Sequence, residues 1–198
     1  LQSAAGTLKR VTLELGGNDP AILLADVDLD AALPKIFQLA FNNCGQICFA
    51  VKRLYVPEAL YGEVCVRLAQ MAAALKVGGG FEEGVQMGPL QNEMQQRKVL
   101  ALLDDARARG GRVLCGGHAL PRPGYFVAPT IVADLPDDAR LVAEEQFGPV
   151  LPVLKYRDLD DAVRRANHSR LGLCASVWTR DAAAGEAVAA RLEAGTVS

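Results

Sequence analysis

From Val11 to Leu15 apolar and polar side chains alternate with a β-branched bias, the two-residue period of a strand with one buried face. Gly16-Gly17-Asn18-Asp19-Pro20 breaks that pattern and Ala21 to Leu24 resumes as a short apolar run, so the segment reads as strand, turn, strand. The period then changes. After Asp28, a suitable N-cap, Leu29, Leu33, Ile36, Phe37 and Ala40 recur at helical spacing to about Phe41, with Pro34 as the one discordant residue in the run. Asn42 to Gln46 reads as a turn, and Arg53 to Val56 as a strand closed by Pro57. Pro57 to Leu75 and Asn92 to Arg109 have helical patterns, stopped by Gly78-Gly79-Gly80 and by Gly110-Gly111. Further strands are expected at Arg112 to Cys115, Tyr125 to Val132, Val150 to Tyr156 and Leu173 to Thr179, with helices from Asp158 to Asn167 and from Asp181 to Ala194. Strands alternating with helices predict an α/β fold with a largely parallel sheet flanked by helices. No linker divides the chain, so residues 1–198 are expected to form one domain.

Composition narrows the functional classes. With 51% hydrophobic and 22% charged residues, the chain can build a substantial core. A net charge of -2, with acidic and basic residues interspersed, supplies no phosphate-tracking stripe, and nucleic acid is not an expected partner. No apolar run reaches membrane-spanning length and no signal-peptide pattern opens the chain, so no membrane association and a cytoplasmic location are the expectations. The cysteines Cys44, Cys48, Cys65, Cys115 and Cys174 are odd in number and are expected to be free thiols. Cys44 and Cys48 have the spacing of one helix face, but further ligands are not evident nearby and no metal site is expected.

Three segments can carry chemistry. Cys48 follows the turn Asn42-Asn43-Cys44-Gly45-Gln46-Ile47, where a thiol can be both reachable and activated, although most free cysteines act as small buried hydrophobes. Glu14 is an acidic residue in an otherwise largely apolar strand. If buried there, its carboxylate would be a proton acceptor near neutral pH; strand alternation could equally turn it to solvent. Glu144-Glu145-Gln146-Phe147-Gly148-Pro149 joins carboxylates, an aromatic ring and a rigid turn ahead of an apolar strand. It could hold sugar hydroxyls and a flat ring, or it could be a solvated helix end.

Taken together and in order, Glu14-Leu15-Gly16-Gly17, Gly45-Gln46-Ile47-Cys48 and Glu144-Glu145-Gln146-Phe147-Gly148-Pro149-Val150 resemble the signature segments of the aldehyde dehydrogenase superfamily. The likeness continues through Met87-Gly88-Pro89-Leu90, Gly124 to Thr130 and Arg191 to Val197, and so covers essentially the whole chain. The resemblance implies the family's catalytic domain, with Cys48 as the nucleophile toward an aldehyde, Glu14 as the base that activates water, and the Cys48 N–H as one oxyanion donor. It further implies Glu145 on the nicotinamide ribose, Phe147 beside the cofactor, a supporting part for Arg53, NAD or NADP as cofactor, a small-molecule aldehyde as substrate, and a homo-oligomer.

The chain departs from the family pattern at Asn18, where a lysine commonly follows Glu-Leu-Gly-Gly. The family's cofactor domain and its C-terminal arm would lie outside these residues, and the chain is therefore expected to be a fragment. Two alternatives stand beside hydrolytic aldehyde oxidation: acyl transfer to coenzyme A, which leaves Glu14 without a role, and a non-catalytic assembly module, which has no need of Cys48, Glu14 and Glu145 together. Because loss of one oxyanion donor alone costs roughly a hundredfold or more in rate, the isolated polypeptide is predicted to show little or no turnover of aldehyde with NAD. A steady-state assay of the purified chain checks this, and substantial turnover would refute it.

Overall fold

Apolar residues on consecutive positions, rather than alternating ones, mark the strands that lie deepest. Ala21-Ile22-Leu23 and Leu54-Tyr55-Val56 are completely or almost completely buried, as expected of parallel strands covered on both faces. The computed structural model describes residues 1–198. Its strands are β1 (Asp19–Leu23), β2 (Val51–Pro57), β3 (Arg112–Cys115), β4 (Thr130–Ala133), β5 (Val150–Tyr156), β6 (Cys174–Trp178) and β7 (Thr196–Val197). They form one sheet in the order β3-β4-β5-β2-β1-β6-β7. Every pairing is parallel except that of β3 with β4. The expected α/β fold with a largely parallel sheet is therefore what the chain adopts.

The helices are α1 (Gln2–Ala5), α2 (Leu29–Phe41), α3 (Glu58–Ala74), α4 (Glu93–Ala108), α5 (Arg140–Ala143), α6 (Leu159–Asn167) and α7 (Ala182–Ala189). Asp28, Asn92, Asp158 and Asp181 cap α2, α4, α6 and α7 by accepting backbone N–H groups of the first turn. Pro34 is accommodated inside α2 on its exposed side, where a lost backbone bond faces water and not the core. No helix is long and apolar enough to cross a membrane.

Three expectations need correction. Val11 to Leu15 forms no strand, and all five residues are exposed. Neither edge of β1, the strand into which this segment leads, is open to it, because β1 already pairs with β2 and β6. Of Tyr125 to Val132 only the last residues belong to a strand; Tyr125 is exposed in a loop and Val127 makes a single bridge to Ala119. Gly78-Gly79-Gly80 does not stop α3, which ends at Ala74 where Leu75 turns extended. By contrast Gly110, with φ +83°, follows α4 in the left-handed conformation that glycine adopts without penalty.

Leu54 illustrates what the sheet depends on: it is fully buried and registers with Ala21 of β1 on one side and Val153 of β5 on the other. Leu54→Ala is predicted to destabilise the fold by about 2–5 kcal/mol through lost burial and a residual cavity. The check is urea unfolding, with a lower midpoint at unchanged m-value as the expected outcome.

Candidate active site

The three segments singled out above share one topological property: each immediately precedes a strand. Gly16-Gly17 leads into β1, Cys48 precedes β2, and Glu145 to Pro149 leads into β5. Since β5, β2 and β1 are adjacent and mutually parallel, residues at their N-terminal ends must lie at one edge of the sheet. There an open cleft of about 570 Å³ is lined by Glu14, Cys48, Glu145 and Phe147, together with Gln95 and Lys98 of α4. All four predicted site residues are thus brought together. Glu14 reaches the cleft from solvent, which is the side that strand alternation offered it, and not from a buried position.

The turn that presents Cys48 is tight. After α2, Asn43, Cys44 and Gly45 take left-handed conformations in succession, with φ of 50°, 60° and 69°. Two of these are non-glycine residues in a sparsely populated region, a cost that the surrounding packing has to offset. Gly45 leaves no room for a side chain, because a Cβ there would run into the Gly148 carbonyl. That close approach sets the cysteine turn directly against the loop before β5. Gln46 secures the other side by accepting the Gln91 N–H at 2.9 Å. The neighbouring thiol Cys44 is buried, and its pKa is pushed up to about 12, so it stays protonated and inert. Burial likewise pushes up Cys65, to about 11, and raises Cys115 and Cys174.

Polar side chains hold the third loop. Gln95 donates to the carbonyls of Gln146 and Phe147 at 2.8 and 2.9 Å, and Gln146 donates to the carbonyls of Lys52 and Val150 at 3.1 and 2.8 Å. Phe147 sits at φ 49°, a strained turn that these bonds maintain. Glu145 lies over the double glycine, accepting the Gly17 N–H at 3.1 Å. A Cβ on Gly16 would collide with the Glu145 carboxylate, so Gly16 is what lets the acid lie down on the backbone. A partly exposed carboxylate and a ring in one cleft have the acceptor and surface chemistry to hold a ribose and a flat heterocycle.

Beneath the cleft lies a set of charges that pattern reading passed over. Asp19, Lys52 and Arg53 are all nearly fully buried. Lys52 Nζ donates to the carbonyls of Cys48 at 2.7 Å, Ile47 at 2.9 Å and Ala50 at 3.3 Å, and it stands 3.5 Å from Glu145 Oε1. Burial lowers the pKa of Lys52 despite its acidic neighbours. Asp19 accepts the Cys174 N–H at 3.2 Å through Oδ1, while its Oδ2 is buried without a partner. Desolvation raises its pKa to about 6, against the opposing pull of that hydrogen bond and of Lys52 and Arg53. Arg53 donates to the carbonyls of Asn18 and Ala166 at 2.8 and 2.9 Å, tying β1 to the end of α6 in the supporting part expected of it. Asn18, where the family pattern has lysine, donates to the Val142 carbonyl at 2.8 Å and steadies the end of α5 just before Glu144.

A signal for part of this set does exist in the chain: Lys52 and Arg53 are charges at the head of a run that otherwise reads as buried strand, whereas Asp19 falls in a stretch that reads as a turn. A charge in a doubly covered strand has to be paired or bonded, and the partners could have been sought in the loops at the same sheet edge. Gln95 and Gln146 carried no such signal, since a glutamine on a helix or in a loop is ordinarily solvated.

Comparison with known proteins agrees with this geometry. The family model described as the aldehyde dehydrogenase family matches residues 1–198. A probable aldehyde dehydrogenase from Pseudomonas sp is 48% identical over 176 residues, covering 88% of this chain and 36% of that protein. The NAD+ complex of aldehyde dehydrogenase from Bacillus cereus superposes with a TM-score of 0.94 at 42% identity, covering 99% of this chain and 40% of that one. An E. coli NADP-dependent enzyme superposes at 0.95 with 39% identity, covering 100% of this chain and 41% of its own. The chain therefore spans less than half the length of the proteins it matches.

The buried Asp19 has a pH signature of definite sign. Its folded pKa of about 6 exceeds its ordinary value of 3.8, so between those values the folded chain holds a proton that the unfolded chain has released. Stability from this group is present at low pH and declines as pH rises through that window, by on the order of 3 kcal/mol at most. Asp19→Asn, which can still accept the Cys174 N–H, is predicted to leave the melting temperature near that of wild type at pH 4.5 and to raise it at pH 7.5. Thermal melts of both proteins at the two pH values check this, and a variant curve parallel to wild type would refute it.

Proposed function

Because the chain belongs to the aldehyde dehydrogenase family, we propose that the protein oxidises an aldehyde to a carboxylic acid with NAD or NADP. The observation that carries this reading is the convergence of Cys48, Glu14, Glu145 and Phe147 on one cleft at the sheet edge. Of the five thiols, Cys48 is the one that lines this cleft.

In this reading Cys48 Sγ attacks the aldehyde carbonyl carbon, forming a thiohemiacetal whose oxyanion accepts the Cys48 backbone N–H. A bound nicotinamide would supply the hydride acceptor, and loss of that hydride would leave the acyl group on Cys48 as a thioester. Glu145 offers a carboxylate to the nicotinamide ribose, with the oxygen that accepts from Gly17 fixing its orientation, and Phe147 packs beside the cofactor. Glu14, at the solvent side, takes a proton from water as it attacks the thioester carbonyl, and Cys48 leaves as thiolate. An exposed carboxylate is well placed for that work, since it can draw on bulk water and return its proton there. The presence of Glu14 in the cleft favours hydrolysis over transfer to coenzyme A. Homology to an NAD+ complex and to an NADP-dependent enzyme supports a nicotinamide cofactor of either kind. The protein is placed in the cytoplasm as a homo-oligomer on family habit.

Iodoacetamide at neutral pH, read by peptide mass, is predicted to label Cys48 about tenfold or more ahead of the other four cysteines, whose burial holds them protonated. Glu14→Gln should leave that labelling within about twofold of wild type, while lowering aldehyde turnover about a hundredfold or more when these residues are joined to the family's cofactor domain. Cys48 labelling no faster than the rest would refute its role as nucleophile, and full turnover in Glu14→Gln would refute the assignment of the base.

A further inference from the structure

Lys52 has no part in the reaction just described, yet it is nearly fully buried directly under the nucleophile, and burying an ammonium group is costly unless it is fully employed. Its three donors are all taken by carbonyls of the turn that carries Cys48, those of Ile47, Cys48 and Ala50. Its charge faces Glu145, at 3.5 Å, from the loop before β5, and the Asp19 carboxylate from β1. A Cβ on Gly17 would meet both Asp19 and, at 2.9 Å, the Cys48 carbonyl, so the acid, the glycine turn and the nucleophile's backbone are packed in contact. One ammonium group therefore touches or faces an anchor from each of the three loops that build the cleft.

We propose that Lys52 is a positioning residue for the reaction: it fixes the Cys48 peptide and the Glu145 carboxylate in one register. This rests on the assignment of Cys48 as nucleophile. The carbonyls that Lys52 captures set the plane of the peptides on either side of Cys48, and with it the direction of the Cys48 N–H and the thiol. Its charge draws Glu145 to the same point, so the group that would hold the ribose and the group that attacks the aldehyde share one anchor. Without Lys52 the buried Asp19 carboxylate, already costly to ionise, loses the attraction of a nearby cation.

The test uses Lys52→Met, Lys52→Met with Asp19→Asn, and wild type, with the other four cysteines as internal standards. Cys48 alkylation by iodoacetamide is followed from pH 6 to pH 9. Glu14, Glu145 and Lys98, which line the same cleft, are unchanged throughout. Lys52→Met is expected to lower the melting temperature, to slow Cys48 about fivefold or more at neutral pH, and to move its pH–rate profile upward as the nearby ammonium is lost. Adding Asp19→Asn removes the stranded carboxylate and is expected to restore the melting temperature while Cys48 stays slow. A merely structural lysine predicts that reactivity returns together with stability. Recovery of the wild-type rate in the double variant overturns the proposal, and so does a melting temperature that Asp19→Asn fails to restore. Wild-type Cys48 that is no faster than the other thiols overturns the nucleophile assignment instead, and this proposal with it.

Discussion

Parallel pairing of β2 with β1 on one side and β5 on the other is the constraint on which the rest of the molecule depends. Parallel neighbours start at the same edge, so whatever precedes these three strands is delivered to one place. The double glycine, the cysteine turn and the Glu-Gln-Phe-Gly-Pro loop are what precede them. Ligand sites in open parallel sheets ordinarily lie at the C-terminal ends of strands; here the candidate cleft lies at the opposite ends. The helices α2 and α6 fill the parallel crossovers from β1 to β2 and from β5 to β6, and with α3 they cover the sheet, which is why β1, β2 and β4 are buried along their whole length.

Building a reactive cleft at that edge requires backbone in conformations that cost energy. Asn43, Cys44 and Phe147 all lie at positive φ, and each is held by neighbours and not by its own preference. Gly45 packs against Gly148, Gln95 and Gln146 bind the carbonyls around Phe147, and Lys52 binds those around Cys48. Three of the five non-glycine residues at positive φ lie within a few residues of the cleft, the other two being Leu8 and Asp134.

Buried charge is the second expense at the same place. Asp19, Lys52 and Arg53 occupy strand positions that aliphatic residues could fill, and desolvation dominates the titration of both Asp19 and Lys52. Replacing such a set by apolar residues is often neutral or stabilising. Its retention makes sense if the ammonium and guanidinium serve as multi-armed ties: Lys52 to the cysteine turn, Arg53 to the start of β1 and the end of α6. Neither task can be done by a hydrocarbon side chain.

Much of this was legible in the chain. Capping residues Asp28, Asn92, Asp158 and Asp181 placed the starts of α2, α4, α6 and α7, because this signal is local and acts through backbone groups of the same turn. The candidate residues Cys48, Glu14, Glu145 and Phe147 were marked by turn chemistry and by their resemblance to family segments. Tertiary structure alone decided the rest. The alternation of Val11 to Leu15 is a local pattern, but a strand needs a free edge, and β2 and β6 had already occupied those of β1. Glu14 therefore stands in solvent and not within the sheet. Nor could spacing along the chain reveal that Lys52, which binds three carbonyls of the turn just before it, would also face Glu145 and Asp19, since those neighbours depend on the strand order, and strand order is a property of long-range pairing.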